Sequence, residues 1–478
     1  MRGILSYGAY LPYRRLDRAT IAAVAGAGGG KGTRTVASYD EDTTTLGVEA
    51  ARLALGATDA RPGNVWFSTI SPAYTDKTNA TALHAALRLP GNVAAADFGG
   101  AVRSGIGALR AGFATSEPTL VVAADVRTGL PGSADEAAGG DAGAALLVGT
   151  DEHAPVLAEL LSAGAATDEF LDRWRTPGDQ RSRQWEEKFG EQRYLPLGRA
   201  AFSDALAAAG IDTTQVDKLI VTGTHARANR AVVRTLGVDA AAVVDDLAGS
   251  VGNPGTAQPG LLLSAVLERS RPGEVIVLLS LADGADAFVL RCTEALSTLT
   301  PPRPIADQLN MGAPVAYGKF LAWRGMLQPE PPRRPEPARP SASSAGRSED
   351  WKFGFVGSRD RSTGAIHMPP ARVSMEGGAI DDMEPVAMAD TPGTIVTYTV
   401  DKLVYSPSPP VVFAVVDFDG GGRAPLELTD VDPADVVIGG RVEMTFRRLF
   451  TADGIHNYFW KARPVRTASD HHATPGED

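Results

Sequence analysis

The strongest constraint on the fold is the regular alternation of helix-like and strand-like segments over the first 295 residues. Amphipathic segments rich in Ala and Leu alternate with short runs rich in β-branched residues. This alternation predicts layered α/β structure. The predicted helices are 44–55, 81–87, 106–113, 200–209 and 260–267, and the predicted strands are 65–70, 119–123, 219–222 and 274–281.

The same region divides into two halves with similar endings. The run GGDAGAALLV at 139–148 ends the first half in the way that DGADAFVL at 283–290 ends the second. We therefore predict a duplicated α/β unit, with halves at about 1–150 and 151–295.

The remainder of the chain changes in composition. Residues 296–350 are rich in Pro and Ser, which favours an extended linker, although the aromatic segment YGKFLAWR at 317–324 could dock on a surface. Residues 351–466 contain β-rich runs separated by Gly, Pro and Asp, which predicts a small β-barrel or sandwich; these runs are 394–400, 411–417, 441–446 and 458–460. We expect the polar tail at 467–478 to be disordered.

Charge and cysteine content exclude several classes of protein. The 46 basic and 57 acidic residues give a net charge of −11, which argues against binding to nucleic acid or to an anionic membrane. No apolar run is long enough for a membrane span, and we expect a cytoplasmic protein. The single cysteine, Cys292, follows an apolar run and is predicted to be structural. No histidine or cysteine pair has a metal-binding spacing, so we predict no catalytic metal.

Two polar residues stand out as candidate catalytic groups. His225 directly follows the apolar strand 219–222, where an α/β sheet delivers side chains to a ligand crevice. An imidazole there could move a proton, although a structural histidine is the commoner outcome. Asn253 precedes a proline and could be a turn residue, or its amide could donate to an enolate or carbonyl oxygen.

The segment ADFGGAVRSGIGAL at 96–109 resembles the strand-to-helix elbow that presents the nucleophilic cysteine in the thiolase superfamily. Val102 stands at the position of that cysteine. A valine has no lone pair with which to attack a thioester carbonyl. The usual acyl-enzyme chemistry is therefore excluded at this position.

Longer stretches resemble the prokaryotic hydroxymethylglutaryl-CoA synthases, which are relatives of ketoacyl-ACP synthase III. The resemblance is carried by YGAYLP at 7–12, DEDTTTLGVEAA at 40–51 and the region 252–288. It implies a five-layered thiolase fold, usually dimeric, with a tunnel for a pantetheine arm. His225 matches the family histidine, Asn253 matches the asparagine of the Asn loop, and Ile70 stands where the synthases carry a glutamate.

Residues 353–466 resemble the acyl-CoA-associated family that combines a zinc ribbon with an OB-fold. The positions that match the four zinc-binding cysteines are Asp360, Thr363, Ser374 and Gly377. No thiolate remains, so we predict that the ribbon binds no zinc. The resemblances together predict an α/β thiolase fold followed by an OB-fold barrel.

Three function hypotheses remain open. In the first, an enzyme makes or breaks a C–C bond in an acyl thioester without an acyl-enzyme, with His225 and Asn253 as catalytic residues. In the second, a condensing or acyltransferase enzyme uses a replacement nucleophile, for which Ser104 is the nearest hydroxyl. In the third, a catalytically silent scaffold supports a catalytic homologue.

All three hypotheses share one site and one class of ligand. We predict that Val102, Ile70, Tyr74 and Gly284 bind substrate, and that no prosthetic group is bound. The expected partners are acyl-CoA or acyl-carrier protein, whose thioester is carried on coenzyme A or phosphopantetheine, and a second copy in a homodimer. The enzyme hypothesis requires His225 and Asn253 to project into one cavity lined by Val102 and Ile70. If a structure places them far apart or seals them from any tunnel, the enzyme hypothesis fails and the scaffold hypothesis replaces it.

Overall fold

A computed structural model describes residues 1–466 of the protein, so the predicted tail at 467–478 lies outside the described residues. The first half contains seven strands and five helices in this order: β1 (Arg2–Tyr10), β2 (Arg14–Asp17), α1 (Ala19–Ala25), β3 (Thr33–Val36), α2 (Thr43–Gly56), β4 (Asn64–Thr69), α3 (Ala80–Ala86), β5 (Ala94–Gly99), α4 (Arg103–Gly112), β6 (Thr119–Asp125), α5 (Ala134–Ala138) and β7 (Ala142–Thr150).

The second half follows directly. It contains β8 (Ala158–Ala166), β9 (Arg173–Trp174), β10 (Arg183–Gln184), α6 (Glu187–Ala209), β11 (Lys218–Thr222), α7 (Ala226–Val233), α8 (Gln258–Leu267), β12 (Val275–Leu281) and β13 (Ala285–Cys292).

The C-terminal third is richer in strands. It contains α9 (Ile305–Asn310), β14 (Ala313–Pro314), α10 (Tyr317–Trp323), α11 (Ala342–Arg347), α12 (Glu349–Lys352), β15 (Val356–Asp360), β16 (Ile366–His367), β17 (Met383–Ala387), β18 (Gly393–Asp401), β19 (Val411–Phe418), β20 (Arg423–Leu428), β21 (Arg441–Ala452) and β22 (Ile455–Pro464).

The two halves have the same strand order, which confirms the predicted duplication. The first half is ordered β1-β7-β6-β4-β5 and the second is ordered β8-β13-β12-β11. In each half the first strand therefore pairs with the last one. The strands β6 and β4 follow in the first half, and their counterparts β12 and β11 follow in the second. In the second half, the counterpart of β5 is reduced to a single bridge between Leu219 and Val243. The halves meet where β1 pairs with β8 through Gly3 and Ile4.

Helices complete five layers around these strands. Helices α2 and α3 pack on the outer face of the first half, and α6 and α7 pack on the outer face of the second. Helices α4 and α8 contact strands of both halves and form the central layer. The predicted α/β thiolase architecture is confirmed.

The predicted linker is not extended throughout. Within 296–350, α9 and α10 pack on the first half, and Phe320 is almost fully buried. Arg324 forms an ion pair with Asp141, and the Tyr317 hydroxyl donates to Glu136 at 2.9 Å. The aromatic segment 317–324 thus docks as its composition suggested, because its rings and charges match a surface of the first half. The domain boundaries themselves stay predictions.

The C-terminal strands close into a five-stranded barrel. Its order is β18-β19-β20-β22-β21, in agreement with the OB-fold prediction. The runs 394–400, 411–417, 441–446 and 458–460 correspond to β18, β19, β21 and β22, whereas β20 contains Pro425, a residue that argues against a strand in sequence.

Buried charges attach the barrel to α2. Glu49 of α2 accepts the Phe446 N–H at 3.1 Å and pairs with Arg463 at 3.0 Å. Arg447 contacts Glu41 and Asp430 in a fully buried position. These contacts hold the β21–β22 hairpin against α2.

Candidate functional site

The elbow between β5 and α4 places Val102 at the start of a helix. Gly100 has a φ of +101°, a backbone conformation that is strained for any residue with a side chain. The glycine therefore allows the sharp turn out of β5. Ser104 Oγ donates to the Gly99 carbonyl at 2.8 Å, which fixes the turn. Val102 faces a cleft of about 620 Å³. Ser104 does not line that cleft, so its hydroxyl serves the turn.

Three of the predicted substrate-binding residues meet in this cleft. Ile70, Tyr74 and Val102 all line it. Further lining comes from 97–101, from 173–179 and from Tyr194, Thr224 and Asp283. An acyl chain would meet an apolar wall at Val102 and Ile70, where a thiolate and a carboxylate were expected from the resemblance.

The wall at 70–79 is held at several points. Asp125 accepts the Ile70 N–H at 2.8 Å, and Asp97 accepts the Asn79 N–H at 2.7 Å. The barrel supplies a further contact, because the N–H of His456 donates to the Tyr74 hydroxyl at 2.7 Å and the two rings lie 5.1 Å apart. The β21–β22 hairpin therefore supports the wall that carries Tyr74.

Two arginines, Arg173 and Arg175, line the cleft. Arg175 donates to the Ile70 carbonyl and is otherwise exposed, whereas Arg173 is paired with Asp135 at 2.6 Å. Both arginines come from the segment between β8 and α6, which shows no periodicity in the sequence. Sequence reasoning missed them, and no local signal could have placed them at the site.

His225 does not reach the cleft. It caps the N-terminus of α7, where its Nδ1 accepts the Ala228 N–H at 3.0 Å. Its Nε2 lies 2.9 Å from the Glu187 carbonyl oxygen and 4.0 Å from Asp172 Oδ1. Because Nδ1 accepts, the proton of the neutral ring is on Nε2, which donates to Glu187. Both nitrogens are bonded to backbone, and only 2% of the residue is exposed.

Asn253 is similarly committed. Its Nδ2 donates to the Gly223 carbonyl at 2.8 Å and to Gln258 Oε1 at 3.0 Å, and its Oδ1 accepts the Gly255 N–H at 2.9 Å. The prediction that His225 and Asn253 project into the cleft with Val102 therefore differs from the structure. The physical reason is that each side chain satisfies a local turn or cap. Their catalytic role stays a prediction.

Gly284 also lies beside the cleft rather than in it. A Cβ at this residue would collide with the guanidinium of Arg103. Arg103 donates to the Asp283 carbonyl at 2.8 Å and to Asp286 at 2.9 Å. The glycine thus gives space to an arginine that joins the elbow helix to the β12–β13 turn. Asp283, its neighbour, lines the cleft instead.

Two ionisable groups at the cleft and one behind it have shifted pKa values. Burial, together with the negative charge of Asp172, raises the pKa of Asp283. Burial raises the pKa of Asp172, which the nearby His225 opposes. Burial also raises the pKa of Tyr194, so its phenol stays protonated. Asp283 was missed in the sequence, although an Asp-Gly pair between two strands indicates a hairpin turn at a sheet edge.

The remaining predictions concern groups outside the cleft. Cys292 is buried, and burial raises the pKa of its thiol to about 11, as expected for a structural cysteine. In the ribbon, Asp360 accepts from the Ser362 and Thr363 N–H groups at 2.8 and 3.3 Å. Its one carboxylate and the neighbouring hydroxyls do not fit zinc, which needs about four strong ligands. Over residues 1–466, no helix combines the length and apolar character needed to cross a bilayer.

Comparison with known proteins identifies both parts of the chain. Residues 206–291 match the family of 3-oxoacyl-(acyl-carrier-protein) synthase III C-terminal domains, and residues 385–447 match the ChsH2 C-terminal OB-fold domain. The hydroxymethylglutaryl-CoA synthase of Pyrococcus furiosus is 30% identical over 335 residues, which cover 67% of this chain and 95% of the relative. The Thermococcus sibiricus synthase is 28% identical over 336 residues, covering 68% of this chain and 96% of the relative.

Solved structures give the same fold. The 3-oxoacyl-(acyl carrier protein) synthase III of Pseudomonas aeruginosa has a TM-score of 0.53 at 21% identity, covering 61% of this chain and 98% of that one. MvaS in complex with 3-hydroxy-3-methylglutaryl coenzyme A has a TM-score of 0.55 at 21% identity, covering 71% and 94%. The chain thus belongs to the hydroxymethylglutaryl-CoA synthase family of thiolase-fold proteins, and carries an OB-fold domain at its C-terminal end.

Proposed function

We propose that this protein binds an acyl thioester of coenzyme A or phosphopantetheine in the Val102 cleft without forming an acyl-enzyme. The observation that carries the proposal is that Val102 lines an open cleft of about 620 Å³. By the resemblance described above, this residue stands where the family carries its nucleophile. An apolar wall suits an acyl chain, and the exposed Arg175, which also lines the cleft, suits the phosphates of the carrier.

In the described conformation the protein acts as a catalytically silent scaffold. No ring nitrogen of His225 is free to exchange a proton with a ligand in the cleft, since Nδ1 and Nε2 are bonded to Ala228 and Glu187. The Asn253 amide donates within the protein. Acid–base and oxyanion groups must reach the reacting atoms to contribute to a rate.

The second candidate is an enzyme that makes or breaks a C–C bond by aldol, retro-aldol or decarboxylation chemistry. It is favoured by the convergence of both polar residues on one segment, because Asn253 holds the carbonyl of Gly223, two residues before His225. Each of these reactions needs an enolate stabilised by donors and a group that moves a proton. His225 could serve if its contact with Glu187 opened.

We further propose a homodimer formed through the thiolase-like part. Strand β5 is the edge of the nine-stranded sheet, and four of its six residues are exposed: Ala94, Ala96, Asp97 and Gly99. An exposed edge strand is a natural site for pairing with another strand. Light scattering of the intact protein tests this, and a monomer that persists at high concentration would contradict it.

The thioester proposal is tested by equilibrium binding of CoA, acetyl-CoA and acetoacetyl-CoA. We expect saturable binding by the native protein and loss of binding in Val102→Trp, whose ring fills the cleft. The matched control is Val437→Trp, an exposed site in the barrel. Absence of binding to all three ligands, or equal binding by both variants, would refute the proposal. Turnover of acetoacetyl-CoA by the native protein would favour the enzyme over the scaffold.

A further inference from the structure

The first turn of α6, residues 187–190, covers the imidazole of His225. We call this turn the latch. Its only polar contact with the ring is the Glu187 carbonyl, which accepts from Nε2 at 2.9 Å. A carbonyl oxygen of a thioester is an acceptor of the same kind. The Nε2–H of His225 therefore donates to a carbonyl of the protein itself, although it could equally donate to the carbonyl of a bound thioester.

The latch fits its site only because residue 190 is glycine. A Cβ there would lie 2.5 Å from Asp172 Oδ1 and 2.8 Å from His225 Nε2. The Asp172 carboxyl is 2% exposed, and its Oδ1 has no hydrogen-bond partner among the described residues. A buried carboxylate oxygen without a partner is costly. The closed arrangement is thus destabilised at the same point where the latch touches the ring.

The latch itself is largely exposed, although Gly190 and, one turn later, Tyr194 are buried. Its helix contains Pro196, which has no N–H to donate to the carbonyl of Gln192 and weakens the helix at that point. On the latch and just before it, Phe189 and Trp185 are 44% and 59% exposed and add little to the core. Beyond Pro196 the helix packs closely, with Ala201, Phe202 and Ala205 almost fully buried.

We propose that the Glu187 carbonyl occupies the position at His225 Nε2 that a thioester carbonyl oxygen would take. Latch and thioester then compete for one donor, and the latch must move before His225 can act on a ligand. This inference rests on the proposed binding of thioesters. It makes the scaffold and the enzyme two conformations of one site, which differ in the position of the turn 187–190.

The direct test uses Gly190→Ala, whose methyl group forces the latch away from His225 and Asp172. We expect His225 to react with diethyl pyrocarbonate at least about tenfold faster than in the native protein, as mapped by peptide mass spectrometry. The matched control is Gly318→Ala, the same replacement at an exposed position of α10, with no atom within 4 Å of the new methyl group. Equal reactivity of His225 in Gly190→Ala and the native protein would overturn the proposal.

The ligand arm compares acetyl-CoA with CoA, which lacks the thioester carbonyl. We expect Gly190→Ala to bind acetyl-CoA about fivefold more tightly than the native protein does, as for one hydrogen bond gained, with CoA binding unchanged. An equal change for both ligands would overturn the competition. If neither ligand binds any form, the thioester proposal fails, and the reactivity of His225 still decides whether the latch opens.

A second variant keeps the proposal testable if Gly190→Ala does not fold. Pro196 is exposed, and Pro196→Ala restores a helical hydrogen bond between the latch and the packed part of α6. We expect slower amide exchange at 187–195, slower modification of His225 and weaker binding of acetyl-CoA. Unchanged exchange and modification would show that the latch is already rigid, which contradicts the proposal.

Discussion

The Nε2 atom of His225 lies 2.9 Å from the carbonyl oxygen of Glu187, a residue 38 positions earlier in the chain. Together with the bond from the Ala228 N–H to Nδ1, this contact makes the histidine a helix cap and a link between α6 and α7. These two hydrogen bonds explain why His225, although it follows the end of β11 as predicted, has no free ring nitrogen in the cleft.

The first prediction concerns the stability that His225 provides. His225→Ala removes the cap of α7 and leaves the Glu187 carbonyl without its donor, so we expect a loss of about 2 kcal/mol in the free energy of unfolding. His225→Asn should recover about half of this loss, because asparagine is a good N-cap. Urea denaturation measures both. A loss near zero for His225→Ala would contradict the structural role.

The second prediction concerns the buried charges between the barrel and α2. Arg447→Met leaves Asp430 and Glu41 as uncompensated buried acids, and we expect a loss of about 3–5 kcal/mol in the free energy of unfolding. The matched control is Arg441→Met on the same strand, where the ion pair with Asp419 is exposed and contributes about 0–1 kcal/mol. An equal decrease of the unfolding temperature in Arg447→Met and Arg441→Met would show that the buried ion pairs contribute no more than the exposed one, which contradicts the prediction.

The third prediction follows from Glu41. Burial, reinforced by Asp430 and Asp40, raises the pKa of Glu41 to about 7, although Arg447 opposes the shift. The folded state then holds a proton that the unfolded state loses near pH 4.5, so this contribution to stability is complete below that pH and is lost as the pH rises through 7. We expect the free energy of unfolding to fall by up to about 3 kcal/mol between pH 5 and 8.

The variant Glu41→Gln isolates this contribution. An uncharged amide does not titrate, so the variant should lose most of the decline between pH 5 and 8. Burial also raises the pKa of Glu268 to about 7, and the slope that it contributes remains. If the free energy of unfolding falls equally in the variant and the native protein, Glu41 is already ionised at pH 5, which contradicts the prediction.

The fourth prediction concerns the ribbon. Hydrogen bonds from the side chain of Ser374, and then from the side chain and N–H of Ser362, lower the pKa of the Asp360 carboxyl. We expect elemental analysis to find no stoichiometric zinc and a chelator to leave the unfolding temperature unchanged. Asp360→Ala should lower that temperature, whereas Asp435→Ala at an exposed position of the C-terminal domain should not. Destabilisation by the chelator would contradict a metal-independent ribbon.

The sequence was sufficient for most of the fold because the periodicity of its helices and strands is local. Helix 44–55 corresponds to α2 within one residue at each end, and strand 219–222 is β11 without its first residue. Helix 200–209 was predicted too short, because α6 continues through Pro196, which normally ends a helix.

The candidate site was predictable only in part. Val102, Ile70 and Tyr74 meet because they follow strands that end at one edge of a sheet. The position of His225 after β11 was also correct, yet its environment depends on Glu187 and Gly190, which reach it through tertiary packing. The aperiodic segment 167–186 carries Arg173 and Arg175 into the cleft, and no spacing in the sequence indicates this.

The most direct test of the central claim is the intact mass of the native protein after incubation with acetyl-CoA. We expect binding without any covalent adduct, because Val102 cannot attack the thioester. The positive control is Val102→Cys, which places a thiol at the N-terminus of α4, where a thiolate is stabilised, and should take up the acetyl group. An acetyl adduct on the native protein that maps to residues 97–110, with Ser104 the first residue to examine, would contradict the account.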